Sequence, residues 1–419
     1  MTRVPAAPTT STHDPFSAFD RACGVGVVYD LHAPLVTARA EAAVQETTLA
    51  EIVGAPPVAD TEDLIGTGPR FVALTFDTVT AVLRDAATWS SAAYADFLEP
   101  VAGRALILMD EPEHRRYRNL VQQAFTPAAI TGRRDRIEDV VHRHLDRVVT
   151  AGQADLQAEF AFQYPIAVIA AMLGLPERDL PDFHRWAIEL ITVIADPETG
   201  MRASRVLRDY FSGIVAERRR TPADDLTTAL VEAELDGERL SDEEIFAFLR
   251  LLLPAGAETT YRGTSNLLFA LLTHPDQLDA VRGDRSLVPG AIEETLRWES
   301  SVTQIARTAT HDTEVGGVPI PAGGRVSAVL ISANRDESRW EQSGTFDVCR
   351  PVQPTASFAT GPHMCLGMHL ARFEMGIALE AVLDRLPGLH LDPDAGPRRM
   401  SGLLVRAPEG VPVRFEKTN

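Results

Sequence analysis

The stretch that most limits the architecture of this chain begins at Ser241. Ser241-Asp-Glu-Glu244 is a capping box, in which the serine hydroxyl and the glutamate three residues on satisfy each other's backbone N–H groups. Helical periodicity then continues to about Thr273, which predicts a helix of roughly 50 Å at 1.5 Å per residue. A helix that long crosses a whole domain, so other elements must cover it on several sides. Suitable partners precede it: Asp110-Glu111-Pro112 places acids and a proline where a helix starts, and helical patterns recur from there onward. Short strand-like pieces lie outside this region, at Phe71-Val-Ala-Leu and near 304–310, 314–320 and 325–331, with turns marked by Gly316-Gly317 and Ala322-Gly-Gly324. Residues 90–103 read as an irregular loop. No repeat or linker divides the 419 residues. The expected fold class is therefore mainly α with a minor β region, as a single large domain over 13–419. Residues 1–12, rich in Pro and Thr, read as an unordered tail.

Charge and cysteine content narrow the function. A net charge of −19 opposes binding to nucleic acid or an anionic membrane and leaves a small molecule or a protein as partner. Three cysteines, Cys23, Cys349 and Cys365, make no disulfide framework and leave at least one thiol free. The longest apolar run, Ile166 to Leu175, is about half a membrane span, and the first thirty residues lack the apolar core of a secretory signal. A cytoplasmic, monomeric protein without a membrane anchor is the expectation.

Chemistry concentrates in Phe358-Ala-Thr-Gly361-Pro-His363-Met-Cys365-Leu-Gly367, which precedes a helical run from Met368 to about Leu386. A cysteine in a Gly-rich turn ahead of a helix N-terminus can receive backbone N–H groups and the favourable end of the helix dipole, which lowers its pKa. The resulting thiolate is a metal ligand. The glycines would let a flat cofactor approach the backbone, and Phe358 could shield the sulfur. The ordinary alternative is a buried cysteine at a turn between core elements. This segment, however, resembles the haem-binding signature of the cytochrome P450 family, F-x-x-G-x-H-x-C-x-G, with all five defining residues in place. The resemblance implies a triangular domain whose long central helix crosses a haem b. It also implies Cys365 as the iron's proximal ligand, His363 facing a haem propionate, and Gly361, Leu366 and Gly367 in the cofactor loop.

Two further motifs follow in the order the family requires. Ala255-Gly256-Ala257-Glu258-Thr259 lies in the middle of the long helix, where a glycine and the neighbouring Pro254 both weaken the backbone ladder. It resembles the family's A-G-x-(D/E)-T oxygen-activation motif, which implies Ala255 against the haem, Thr259 beside the bound oxygen, and Glu258 as the acid of a proton-relaying pair. Glu294-Thr-Leu-Arg297 resembles the family's E-x-x-R, and Arg350 in Phe346-Asp-Val-Cys-Arg350-Pro351 its third member, a structural network holding the cysteine loop. Val348 stands where the family usually has proline. Two propionates call for several cations, and His114 and Arg118, one helical turn apart, together with Arg307, resemble the remaining donors.

The implied activity is monooxygenation: one oxygen atom of dioxygen enters an apolar small molecule by hydroxylation or epoxidation. By family position Phe97, Leu98, Val101, Leu251, Val302, Ile305, Leu403 and Leu404 line the substrate pocket, which suits a terpenoid, steroid, fatty acyl or polyketide molecule. No flavin or iron–sulfur segment is present, so electrons from NAD(P)H are expected through an external ferredoxin reductase and ferredoxin. Arg115, Arg116, Arg133, Arg134 and Arg372 are the expected positive patch for an acidic ferredoxin. The alternatives are a peroxide-using or oxidative-coupling haem-thiolate enzyme and a non-catalytic haem sensor. The acid–alcohol pair Glu258-Thr259 argues for the dioxygen route.

Overall fold

The computed structural model describes residues 15–56, 68–194 and 196–417, so the expected tail at 1–12 lies outside the described residues. The long helix spans Asp242–Thr273 and starts from the expected box: Ser241 Oγ accepts from Glu244 N, and Ser241 N donates to Glu244 Oε2 at 2.6 Å. It is unbroken at Pro254, whose ring takes the place of the N–H that would have bonded to Arg250 O. Helices Tyr164–Met172, Leu180–Ile191, Pro197–Arg220, Val288–Trp298 and Met368–Arg385 pack around it. Every residue from Thr260 to Leu272 is buried, so its second half is core on all sides. In its middle the pattern changes, for Ala255 is exposed and Leu251 and Thr259 are half-buried. This stripe, spaced at four residues, faces an open interior space.

A five-stranded sheet flanks the helical body. Its order is Val44–Gln45, Arg70–Ala73, Arg325–Ala328, Ile305–Ala309 and Trp89–Ser90, with one parallel pair, Arg325 opposite Arg70 through Ala328 opposite Ala73. The apolar residues between this sheet and helix Phe76–Arg84 form a cluster separate from the helical core. The expected strand at 314–320 is a hairpin, Thr313–Val315 and Val318–Ile320. Gly316 and Gly317 at φ +58° and +81° make the tight turn between them. The expected strand at 325–331 ends at Ala328, and Leu330–Ala333 forms a short helix.

Residues 90–103 are helical, which corrects the expected loop. A 3-10 turn Ser91–Tyr94 leads into helix Ala95–Ala102, capped at one end by Ser90 Oγ accepting from Ala92 N at 3.1 Å and stopped by Gly103 at φ +77°. Two turns are too few to show a period, and Pro100 inside the helix masks it further. No helix among the described residues is long and apolar enough to cross a membrane.

Candidate active site

Cys365 sits two residues before the cap, Gly367, of helix Met368–Arg385, in a loop braced by its own backbone. Cys365 N donates to Phe358 O at 2.8 Å and Met364 N to Gly361 O at 3.1 Å. Ala359 and Gly361 both adopt positive φ, +59° and +78°. The loop is then tied to three other elements. Arg84 Nε donates to Thr360 Oγ1 at 2.9 Å, Arg118 Nη2 to Met364 O at 2.7 Å, and Asn334 Oδ1 accepts from Ala356 N at 2.7 Å. The Arg372 guanidinium lies 4.5 Å from the Phe358 ring centre, over the loop's first residue. Cys365 is accessible at its surface, and the expected lowering of its pKa is corrected: burial raises the thiol and outweighs the Gly367 N–H and the charges of Arg118 and Arg372. Accessibility inside dense surroundings marks a residue that lines a concavity. Leu366 and Gly367 are half-buried beside it.

Four basic side chains gather near the loop. His114 and His363 lie against each other with ring centres 3.9 Å apart and planes tilted by 33°. Arg307, on strand Ile305–Ala309, feels both imidazoles and Arg118 feels both as well. Burial depresses the basicity of each, taking His363 down to about 3. Counter-charge is sparse: Glu111 Oε1 lies 3.5 Å from His114 Nδ1, and neither arginine forms an ion pair among the described residues. His114 is 1% exposed and its Nε2 has no partner there. The two guanidinium groups thus stand among neutral imidazoles without paired anions. Tyr94, missed in the sequence, completes its edge: its buried hydroxyl accepts from Ala306 N at 2.6 Å next to Arg307.

The E-x-x-R helix lies behind the loop. Glu294 accepts two bonds of 2.8 Å from Arg297, bonds of 3.2 Å from Arg350 Nε, and one of 3.0 Å from Asp347 N. Arg297 spends its other N–H groups on the carbonyls of Asn334, Ser343 and Thr345. Val348, in the place of the usual proline, uses the N–H that proline would lack to bond Gln277 Oε1 at 3.0 Å. Ser357 Oγ donates to Leu296 O at 2.6 Å, which links this helix to the cysteine loop.

Glu258 and Thr259 are not brought together. Thr259 Oγ1 donates to Ala255 O at 2.8 Å on the open stripe. Glu258 turns to a neighbouring face, where it is buried and paired with Arg262. Among the expected pocket residues, Leu98, Leu251, Val302, Ile305 and Leu404 are half-buried. Leu403 instead packs in the N-terminal apolar cluster against Gly24, and Val101 in the helical core, so neither borders the open space. The side chain of Phe97 lies outside those described. The expected positive patch is also corrected. Arg115 pairs with Glu111, Arg116 with Glu238, Arg134 with Glu138 and Arg372 with Glu293, which leaves only Arg133 of the five without an ion pair among the described residues.

A family model, cytochrome P450, matches residues 197–412. Cytochrome P450 107B1 of Saccharopolyspora erythraea is 42% identical over 320 residues, which cover 75% of this chain and 78% of that protein. A methyl-branched lipid omega-hydroxylase of Mycobacterium tuberculosis is 35% identical over 322 residues, 74% of each chain. The solved structure of cytochrome P450 CYP109Q5 from Chondromyces apiculatus superposes with a TM-score of 0.83 at 32% identity, covering 95% of this chain and 98% of that one. Fold and relatives make the protein an oxidoreductase, a monooxygenase that uses haem and dioxygen. The chain belongs to the cytochrome P450 family, and to its bacterial type.

Proposed function

We propose that this enzyme hydroxylates or epoxidises an apolar small molecule, with Cys365 as the thiolate ligand of its haem and electrons delivered from NAD(P)H through a ferredoxin reductase and a ferredoxin. One observation carries the assignment of the site: Arg118 and Arg307 stand beside Cys365 without matching anions, with the neutral imidazoles of His114 and His363 next to them. A dianionic macrocycle with two carboxylates fits that deficit, and a cavity-lining thiol fits its metal. Bound haem supplies the iron on which dioxygen is activated. The chain's residues do the rest. Burial raises the Cys365 thiol, and the Gly367 N–H and the charges of Arg118 and Arg372 work against that rise. The Phe358 ring lies under the Arg372 guanidinium at the head of the loop. The Glu294–Arg297–Arg350 network keeps the loop in place through Ser357. Thr259, on the stripe facing the open space, holds a hydroxyl where a proton must be handed on.

Substrate selection rests on apolar contact, since Leu251, Val302, Ile305 and Leu404 offer no charge. A relative named for a methyl-branched lipid supports an apolar substrate class. The test is the spectrum of the reduced, CO-bound protein. A strongly red-shifted Soret band is expected, and it should disappear in Cys365→Ser; its survival there would refute the ligand assignment. Turnover with NAD(P)H, ferredoxin and reductase, set against turnover with peroxide alone, tests the electron route.

A further inference from the structure

Glu258 does not stand alone on its face of the long helix. Pro254, Glu258 and Tyr261 line a pocket that opens between helices Tyr164–Met172 and Leu180–Ile191, with Ile166 and His184 opposite. Through Glu258 the pocket meets three joined charges. Arg262 Nε donates to Glu258 Oε1, and Arg262 Nη2 donates to Asp20 Oδ1 at 2.5 Å. Arg262 is fully buried, and its Nη1 has no partner among the described residues. Asp20 belongs to the N-terminal helix Pro15–Ala22, which packs on Leu180–Ile191 and the turn after it; its side chain is 22% exposed.

The charges do not balance. Two carboxylates and one guanidinium leave a single negative charge, and arginine cannot give up its proton. Burying an excess charge is unfavourable, so the trio favours one added proton. If Glu258 were the only acid, taking that proton would strand Arg262 as a buried unpaired cation, which is strongly disfavoured. Asp20 removes this obstacle, because Arg262 keeps a carboxylate whichever state Glu258 is in. The other titratable groups facing Glu258 are neutral near pH 7. Burial pushes the Cys23 thiol and the Tyr261 hydroxyl up and lowers His184 to about 4. Burial also raises the Glu258 carboxyl, Arg262 opposes that, and Asp20 adds to it.

We propose that Asp20 is a positioning residue for oxygen activation: it holds Arg262 from the far side so that Glu258 can take a proton from the pocket, let go of Arg262, and turn from its own face of the helix to release that proton toward Thr259. The inference rests on the reading of Glu258 as the acid of the pair. In one cycle Glu258 gains a proton from water in the pocket and, after its side chain turns, loses it on the Thr259 side, with no change in electron count.

The test uses the full-length holoprotein and begins away from turnover. Infrared difference spectra across pH should show a protonated-carboxyl band that Glu258→Gln removes. In Asp20→Asn the band should titrate about one pH unit or more lower, because Arg262 now pairs with Glu258 alone. Asp20→Glu should restore the wild-type titration, which separates the loss of charge from any loss of folding. In turnover, Asp20→Asn should lower product formed per NAD(P)H several-fold and raise the solvent isotope effect. A Glu258 titration unmoved in Asp20→Asn overturns the proposal, whatever happens to turnover. If the titration moves but Glu258→Gln leaves coupling and isotope effect at wild-type values, the reading of Glu258 as the acid is what fails, and the role of Asp20 in catalysis falls with it.

Discussion

Two glycines of the cysteine loop look equivalent in the sequence, yet the structure assigns them different work. Gly361 has φ +78°, and a Cβ built on it would lie 2.4 Å from Leu83 O and 2.8 Å from Arg84 Cα. Both obstacles are backbone at the end of helix Phe76–Arg84, so no side chain can swing away. Gly367 has φ −85°, and a Cβ there meets no protein atom within 4 Å. Gly361→Ala therefore adds left-handed strain of about 1–2 kcal/mol and overpacking of about 1–3 kcal/mol. The sum is about 2–5 kcal/mol. With an unfolding entropy of about 2.1 cal/mol/K per residue over the chain, that lowers Tm by about 2–6 °C. Gly367→Ala should leave the Tm of the haem-free chain within about 1 °C. Thermal unfolding followed by far-UV circular dichroism checks the contrast, and haem occupancy follows the cost to the Cys365 loop. Equal Tm values for the two haem-free variants would refute the reasoning, because nothing but backbone conformation and the helix contact separates them.

Three further outcomes are expected. Glu294→Gln leaves the buried Arg297 and the half-buried Arg350 without their shared carboxylate, and should cost about 3–5 kcal/mol in a denaturant titration. Replacing all three network residues with apolar ones should cost less than that single change. His184, held down to about 4 by burial and then by His144, is neutral in the fold. Because the unfolded chain binds its proton near pH 6.5, stability should fall by about 2 kcal/mol between pH 7 and pH 5 through this group. His184→Phe should remove that part of the pH dependence, read as a smaller difference in denaturation midpoint between the two pH values. Gly174→Ala should be more damaging than a surface change, since φ is +69° and the new Cβ would lie 2.1 Å from Asp225 Oδ2; comparing its Tm with that of Gly213→Ala, where space is open, measures it.

What the sequence revealed was what lies within one segment. The capping box at Ser241, the cysteine loop, and the E-x-x-R turn are sets of residues a few positions apart, so spacing alone places them. What escaped depends on partners far along the chain. Asp20 reaches Arg262 across 242 positions, and Tyr94 reaches Ala306 across 212; no local pattern announces either. Arg262 itself, one turn beyond Glu258, could have been noticed as its ion-pair partner. The expected positive patch failed for a related reason: the acids that neutralise Arg116 and Arg372, Glu238 and Glu293, lie on other elements. Leu403 was assigned to the pocket from its place in the family pattern, but the N-terminal cluster claims it through packing with Leu31, Leu35 and Val329.

The parallel pairing of Arg70–Ala73 with Arg325–Ala328 has a consequence for how the molecule is made. The strands are 255 positions apart, so at about 5–20 residues per second the first must wait roughly 10–50 s for its neighbour to be synthesised. Until then only the two residues Val44–Gln45 can cover one of its edges. The helical body between them closes shorter loops and is free to collapse first. Assembly should thus end at the sheet, and the apolar segment Phe71-Val-Ala is where a stalled or overproduced nascent chain is most exposed to edge-to-edge association.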